Sequence, residues 1–260
     1  WRPQPLVAEG ALRTLALSVE VDTRDDPRDP SDGWWVDASL RRRVGGMPRL
    51  PVDLVPDHPV YDLATEGTLD LRRYNRLGPT SRLNVQLLAS GSIDGTPLPP
   101  QFQRTLGGEG SLPGHPRFAL DCGARVERIT LGEEAPAAGI PTSVFPAYGC
   151  DGVLLARVEF QGGFPFRWTP SPDSPEWELG SLLALRPSWA LFAGAGRGWT
   201  HADEEGSGVP GAGRDRRIDA GTRADVGAGL FVGPLGVYWA LPLNARDQGI
   251  NFFVRLTHRF

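Results

Sequence analysis

The sequence predicts an all-β fold, an antiparallel transmembrane β-barrel of which about 9–10 strands are present. Three observations carry this expectation. Several stretches of about ten residues alternate apolar and polar side chains, the period-two signature of strands with two unlike faces. No apolar run approaches the roughly 18 residues that a membrane helix needs, a test that a barrel evades because only alternate residues face lipid. The last stretch, Gly249 to Phe260, sets Ile250, Phe252, Val254, Leu256, His258 and Phe260 against Asn251, Phe253, Arg255, Thr257 and Arg259. An apolar side for lipid, a polar side for the lumen and a terminal aromatic are what a closing barrel strand requires. The alternative for this stretch is the edge strand of a soluble sandwich.

The other strands follow in order. Leu12 to Thr23 places Leu15, Leu17, Val19 and Val21 opposite Ala16, Ser18, Glu20 and Asp22. Asp- and Pro-rich Arg24 to Gly33 interrupts it. Trp34 to Arg43 resumes the alternation, with Trp34, Val36, Ala38 and Leu40 opposite Trp35, Asp37, Ser39 and Arg41. Residues 45–63 read as loop. Thr65 to Arg76 sets Leu69 and Leu71 against Asp70 and Arg72, and a turn at Leu77–Thr80 leads to Ser81–Ser90, with Leu83, Val85 and Leu87 against Arg82, Asn84 and Gln86. After a long irregular stretch, 91–152, come strands at Val153–Gly162 and Pro187–Gly198. A polar, Gly-rich loop, 201–221, precedes Ala224–Val232 and Leu235–Leu243, which meet at Gly233–Pro234.

Connection lengths orient the barrel. The connections 45–63, 91–152 and 199–221 are long, whereas Leu77–Thr80 and Gly233–Pro234 are short. Outer-membrane barrels have short periplasmic turns and long outer loops. Phe260 then sits at the periplasmic end, and the 163–185 connection is longer than a periplasmic turn should be. Nine strands is an odd number where single-chain bacterial barrels use even ones. Either Arg2 to Gly10 holds a tenth strand, against which Pro3 and Pro5 argue, or these strands are the C-terminal part of a larger, 16-stranded barrel. The second reading is preferred, and residues 1–260 are then one barrel domain.

The composition excludes several classes. The 260 residues are 40% apolar with 33 Gly and 25 Pro, and net charge is −4, which gives no basic footprint for nucleic acid. All 27 basic residues are Arg. The two cysteines, Cys122 and Cys150, fall in the same loop-like stretch. A disulfide between them fits an oxidising compartment such as a periplasm or cell surface; two unrelated thiols is the alternative. No catalytic constellation is present: His58, His115, His201 and His258 are scattered, and no pair has metal-ligand spacing. The acidic run Asp203-Glu204-Glu205, with Asp215 and Asp219 beyond, reads as a solvated loop. No metal, cofactor or enzymatic activity is expected.

Three stretches resemble the BamA/TamA/FhaC superfamily of outer-membrane assembly and secretion barrels, of the bacterial surface antigen type. Asp22-Thr23-Arg24-Asp25-Asp26-Pro27-Arg28-Asp29-Pro30-Ser31-Asp32-Gly33 is similar to its D-x-R-D-x-P-x-x-P-x-x-G periplasmic turn. Leu106-Gly107-Gly108-Glu109-Gly110-Ser111-Leu112-Pro113-Gly114-His115 resembles L-G-G-x-x-S-[LV]-R-G-[YF], the run on a long loop that folds back into the barrel. Asp225 to Phe260, with Gly233-Pro234-Leu235, resembles the closing strands. The resemblance implies that 91–152 enters the lumen, with Gly107, Gly108, Ser111, Leu112, Pro113, Gly114 and His115 as its motif. It also implies that Phe252, Val254, Leu256, His258 and Phe260 form the closing strand and assembly signal.

The chain departs from that pattern in a coordinated way. The loop Arg is replaced by Pro113 and the aromatic by His115. The inward Asp of an F-x-D-x-G strand motif is replaced by Gly194, in Phe192-Ala193-Gly194-Ala195-Gly196. Losing one buried partner costs about 3–5 kcal/mol, whereas losing both is close to neutral. Glu159 matches a family acidic residue, with Arg157 or Arg197 as its candidate partner in the lumen.

The resemblance implies a bacterial, Gram-negative outer-membrane location. Its partners would be outer-membrane lipid and lipopolysaccharide, with nascent barrel proteins or other outer-membrane subunits. The implied function is insertion of barrel proteins or movement of polypeptides. The other readings are a non-catalytic pore or structural subunit, a membrane anchor for an upstream enzyme, and a soluble lectin-like sandwich.

Overall fold

A computed structural model describes residues 13–44, 47–48, 60–61, 64–96, 98, 102–117, 119–120, 122, 125–126, 149–164, 187–200, 214–215, 219–232, 235–245 and 249–256. In chain order the strands are β1 (Arg13–Asp22), β2 (Gly33–Val44), β3 (Met47–Pro48), β4 (Val60–Tyr61), β5 (Thr65–Arg76), β6 (Ser81–Ser92), β7 (Arg125–Val126), β8 (Gly152–Gly163), β9 (Pro187–Trp199), β10 (Arg214–Asp215), β11 (Asp219–Val232), β12 (Leu235–Pro242) and β13 (Asn251–Arg255). Nine of them form one antiparallel sheet, β1-β2-β5-β6-β8-β9-β11-β12-β13, with each long strand beside the next in sequence. Two-residue ribbons, β3 with β4 and β7 with β10, stand apart from it.

The pleat sorts side chains onto two faces. One face, open, carries Leu15, Leu17, Val19, Leu40, Leu69, Val85, Leu87, Leu154, Val158, Leu191, Leu230, Trp239, Leu241, Phe252 and Val254, all exposed. The other carries Glu66, Asp70, Asn84, Gln86, Arg157, Glu159, Gln161 and Asp225, all buried. This inverts the order of a soluble sandwich, in which the apolar side is the buried one. The strands β5, β6 and β8 have 12 residues each. At about 3.3 Å per residue they run roughly 40 Å. Tilted near 45°, such a strand crosses about 28 Å, the thickness of a hydrocarbon core. Aromatics mark one margin of the band, at the Leu77–Thr80 turn end: Trp34 with Arg73 5.2 Å from its ring centroid, and Phe160 beside Trp189 at 5.4 Å.

The nine sheet strands stand where alternation predicts them, with ends shifted by one or two residues at most of them. Ser81–Ser92 runs past the expected stop at Ser90. Two differences are larger. The expected polar loop 201–221 gives way at Asp219, where β11 already pairs with β9 before a register irregularity at Thr222. Among the described residues the closing strand runs over Asn251–Arg255; His258 and Phe260 lie outside the described residues, as do Arg2–Gly10, Asp203–Glu205 and Gly233–Pro234. The expected loop 45–63 contains the β3–β4 ribbon.

The Asp22–Gly33 turn is held by one carboxylate. Asp25 Oδ1 accepts from the Ser31 and Asp32 amides at 2.8 and 3.0 Å, while Oδ2 accepts from the Ser31 hydroxyl. That hydroxyl, then those amides, hold the Asp25 carboxyl well below the usual range. Arg76–Asp25, Arg82–Asp29 and Arg73–Asp32 pairs at 2.8, 2.6 and 3.2 Å tie the turn to the neighbouring hairpin. Surface pairs contribute about 0–1 kcal/mol each, so the order of the turn rests mainly on the backbone amides. Gly33 closes it at φ +116°, where a Cβ would strike Thr23 O.

Candidate functional site

The site is formed by the described residues of the loop that follows β6, which lie against the inner face. Asp94 sits at its entry and accepts from the Thr65 amide at 2.7 Å, the Ser92 hydroxyl at 3.1 Å and the Thr96 amide at 3.1 Å. Burial pushes its carboxyl up, but the Thr65, Thr96 and Ser92 donors outweigh that and bring it down to about 2. Arg104 next pairs its backbone with Cys150, and its guanidinium reaches the buried Glu66, whose other oxygen is 2.6 Å from Arg43. Arg43 in turn lies 3.7 Å over the Phe102 ring. Asp151 accepts from the Leu98 amide at 2.8 Å and from the Thr200 hydroxyl.

Cys122 and Cys150 form a disulfide against the inner face of β9. A Cβ on Gly198 would come within 2.5 Å of Cys150 Sγ, so this approach needs glycine there. Leu106, Leu112, Leu120, Val153 and Leu155 pack with the two cysteines into one apolar cluster. Several of these side chains are fully buried, and each contributes about 1.5–3 kcal/mol. The loop is therefore seated by apolar burial as well as by polar bonds.

The motif residues make a closed turn. Gly107 N donates to Ser111 Oγ at 2.7 Å, Gly108 N to His115 O at 3.0 Å and His115 N to Leu112 O at 3.0 Å. Gly107 adopts φ +129°, and a Cβ there would meet Pro116 O. Ser111, Leu112, Pro113, Gly114 and His115 are buried, Leu112 beside Gly194 and Gly196. Four contacts fix the turn to the sheet. Arg157 Nη1 donates to Gly110 O at 3.1 Å, and Asn251 Nδ2 donates to Pro113 O at 3.0 Å. Gly114 N donates to Asp225 Oδ2 at 2.7 Å. His115 Nε2 is 3.0 Å from Ala224 O. A carbonyl only accepts, so Nε2 carries the proton. Beside the turn lies a cavity of about 820 Å³, with Asp70, Arg72, Gln86, Arg117 and Arg157 among its walls.

Two expectations change. Arg197 is not a lumen partner for Glu159: it pairs in register with Leu154 and is exposed on the open face, whereas Glu159, opposite Phe192, is fully buried on the inner face. Strand parity puts the two on opposite sides of the sheet. Glu159 instead accepts from the Gln161 amide, and Arg157 donates to Gln86 Oε1 at 2.7 Å. Second, the carboxylate absent at Gly194 is supplied from the next strand: Asp225 pairs directly across from Gly194. Sequence reading missed Asp225, Asn251 and Ala224. A signal for Asp225 was present, an acidic residue at inward parity ahead of Gly227 and Gly229. Among the described residues no group of three or more His, Cys, Asp or Glu is placed to hold a metal ion.

The rows of glycine and aromatic residues beyond the loop complete the wall. Phe192, Phe231, Tyr238 and Phe253 share the inner face of β9, β11, β12 and β13. Cβ atoms on Gly227, Gly229 or Gly236 would collide with these rings.

An antiparallel sheet with an apolar open face, a polar inner face and a loop seated on that inner face defines the chain as part of an outer-membrane-type β-barrel fold. The structure is similar to BamA from Haemophilus ducreyi lacking POTRA domains 1–3, with a TM-score of 0.57 and 16% sequence identity. The match covers 93% of this chain and 41% of that one, and the likeness is one of fold. Neither a protein-family model nor a curated protein sequence matches the chain.

Proposed function

We propose that this chain is the barrel portion of an outer-membrane assembly or translocation factor, which inserts barrel proteins or moves polypeptides. The observation that carries the reading is the seated loop, whose buried turn fills the inner face between Arg157 and Asp225. In this reading the open face meets the hydrocarbon of a Gram-negative outer membrane, with lipid and lipopolysaccharide as neighbours. β13 is the strand at which a nascent barrel adds its own by β-augmentation. Among the described residues Asn251–Arg255 gives five paired residues to β12, the pairing that such an exchange would open.

A second reading, a structural subunit that no longer assembles anything, is favoured by Pro113 in place of the loop arginine. An open pore is disfavoured by the buried turn. Site-specific photocrosslinkers at Phe252 and Val254 in cells separate the two: adducts with nascent barrel proteins support assembly. Adducts only with mature membrane proteins, from cells whose barrel assembly is normal, support the structural subunit.

A further inference from the structure

We propose that Arg157 and Asp225 act as one unit, an ion pair spanning Gly194, and that this unit is the positioning element that seats the loop turn. The two residues are direct cross-strand neighbours of the same glycine: Arg157 pairs with Gly194 across β8–β9, and Asp225 pairs with Gly194 across β9–β11. All three lie on the inner face. A Cβ built on Gly194 would come within 2.9 Å of Asp225 Oδ1, 3.1 Å of Leu112 Cδ2 and 3.6 Å of Arg157 Cγ. Three side chains therefore converge over a position that has none. The guanidinium extends beyond Cγ, and both charged residues are buried, Asp225 fully and Arg157 to 7% exposure. A carboxylate removed from water needs a cation or several donors near it.

The turn fits between the two charges by polarity. Gly110 turns a carbonyl oxygen to the cation, and four residues later Gly114 turns an N–H to the anion. The backbone of the turn thus bridges the unit, which explains how the loop stays seated with Pro113 at its tip. The unit is also part of a longer row. Trp35, Arg72, Gln86, Arg157, Gly194 and Asp225 are successive cross-strand neighbours from β2 to β11. Arg72 lies 4.6 Å from the Trp35 ring centroid, and Gln86 accepts from Arg157 while donating to Asp70 at 2.7 Å. Only at Gly194 does the row lack a side chain, and there Leu112 of the loop enters.

The test reads loop seating directly, in detergent-solubilised protein carrying the whole chain, so it stands apart from what the barrel transports. Amide exchange is followed over 107–115 and, as reference, over β8. D225N and R157Q are each expected to accelerate exchange of the turn by roughly ten-fold or more, the effect of losing one charged hydrogen bond, while β8 stays slow. The double variant is expected to be no faster than the faster single one, because either loss dismantles the unit. Additive effects, or an R157Q variant with unchanged turn exchange, would overturn the proposal. If D225N does not fold, D225A/G194D returns a carboxylate to the strand beside Arg157. Slow exchange in that variant supports the unit, and a folded barrel with fast turn exchange rejects it.

Discussion

Phe253 lies flat on Tyr238, their ring planes within 1° and their centroids 4.9 Å apart. This stack joins β13 to β12 on the inner face, where Phe231 meets Tyr238 edge-on at 5.1 Å. Among the described residues β13 pairs with β12 over five positions, and the ring stack adds to that attachment. F253A is expected to destabilise the end of the barrel by about 3–4 kcal/mol, the cost of removing a buried aromatic. F252A, on the open face, is expected to change little in detergent. Heat-modified migration on gels compares the two, and equal shifts would reject the assignment of faces.

Glu66 sits between two arginines, Arg43 from β2 and Arg104 from the loop. Removing the carboxylate leaves two cations near a buried position, at a cost of about 3–5 kcal/mol. E66A is therefore expected to free the start of the loop, read as new trypsin cleavage at Arg104. A loop as resistant as in the native chain would show that apolar packing alone fixes it.

The Cys122–Cys150 bridge closes a separation of 28 residues. By chain entropy alone such a loop contributes about 3.6 kcal/mol. C122S/C150S is expected to remain folded as a barrel but to lower the melting temperature and expose 106–120 to protease. The apolar cluster around Leu112 supplies the remaining attachment, so complete loss of loop protection would mean that the bridge, rather than the cluster, seats it.

Asp94 gives the loop entry a pH dependence. Its folded value, about 2, lies below the ordinary 3.8, so the carboxylate stabilises the fold fully above about pH 4. That contribution fades as pH falls from 4 toward 2. Amide exchange at Thr65 and Thr96 is expected to rise relative to intrinsic rates across this window. In D94N the difference across the window should vanish. An unchanged profile in D94N would place the acid sensitivity elsewhere, with Asp25 in the β1–β2 turn as the next group to substitute.

The sequence by itself determined the strands and their two faces. A period of two is a local property, and each residue from Leu15 to Val254 declares its side through its immediate neighbours. It also determined the short turns, because Asp25, Pro30 and Gly33, or Gly78 and Pro79, shape the backbone within a few residues. Loop seating was legible only as a resemblance. Partners across the sheet were decided by tertiary structure. Arg197 and Glu159 differ in parity only once β8 and β9 are in register, and Asp225 replaces the carboxylate missing at Gly194 only because β11 sets the two side by side. Those neighbours are 31 positions apart in the chain, and Gly114 and Asp225 are separated by 111. Register and loop docking arise from such distant contacts, and no local pattern encodes which distant residue will meet which.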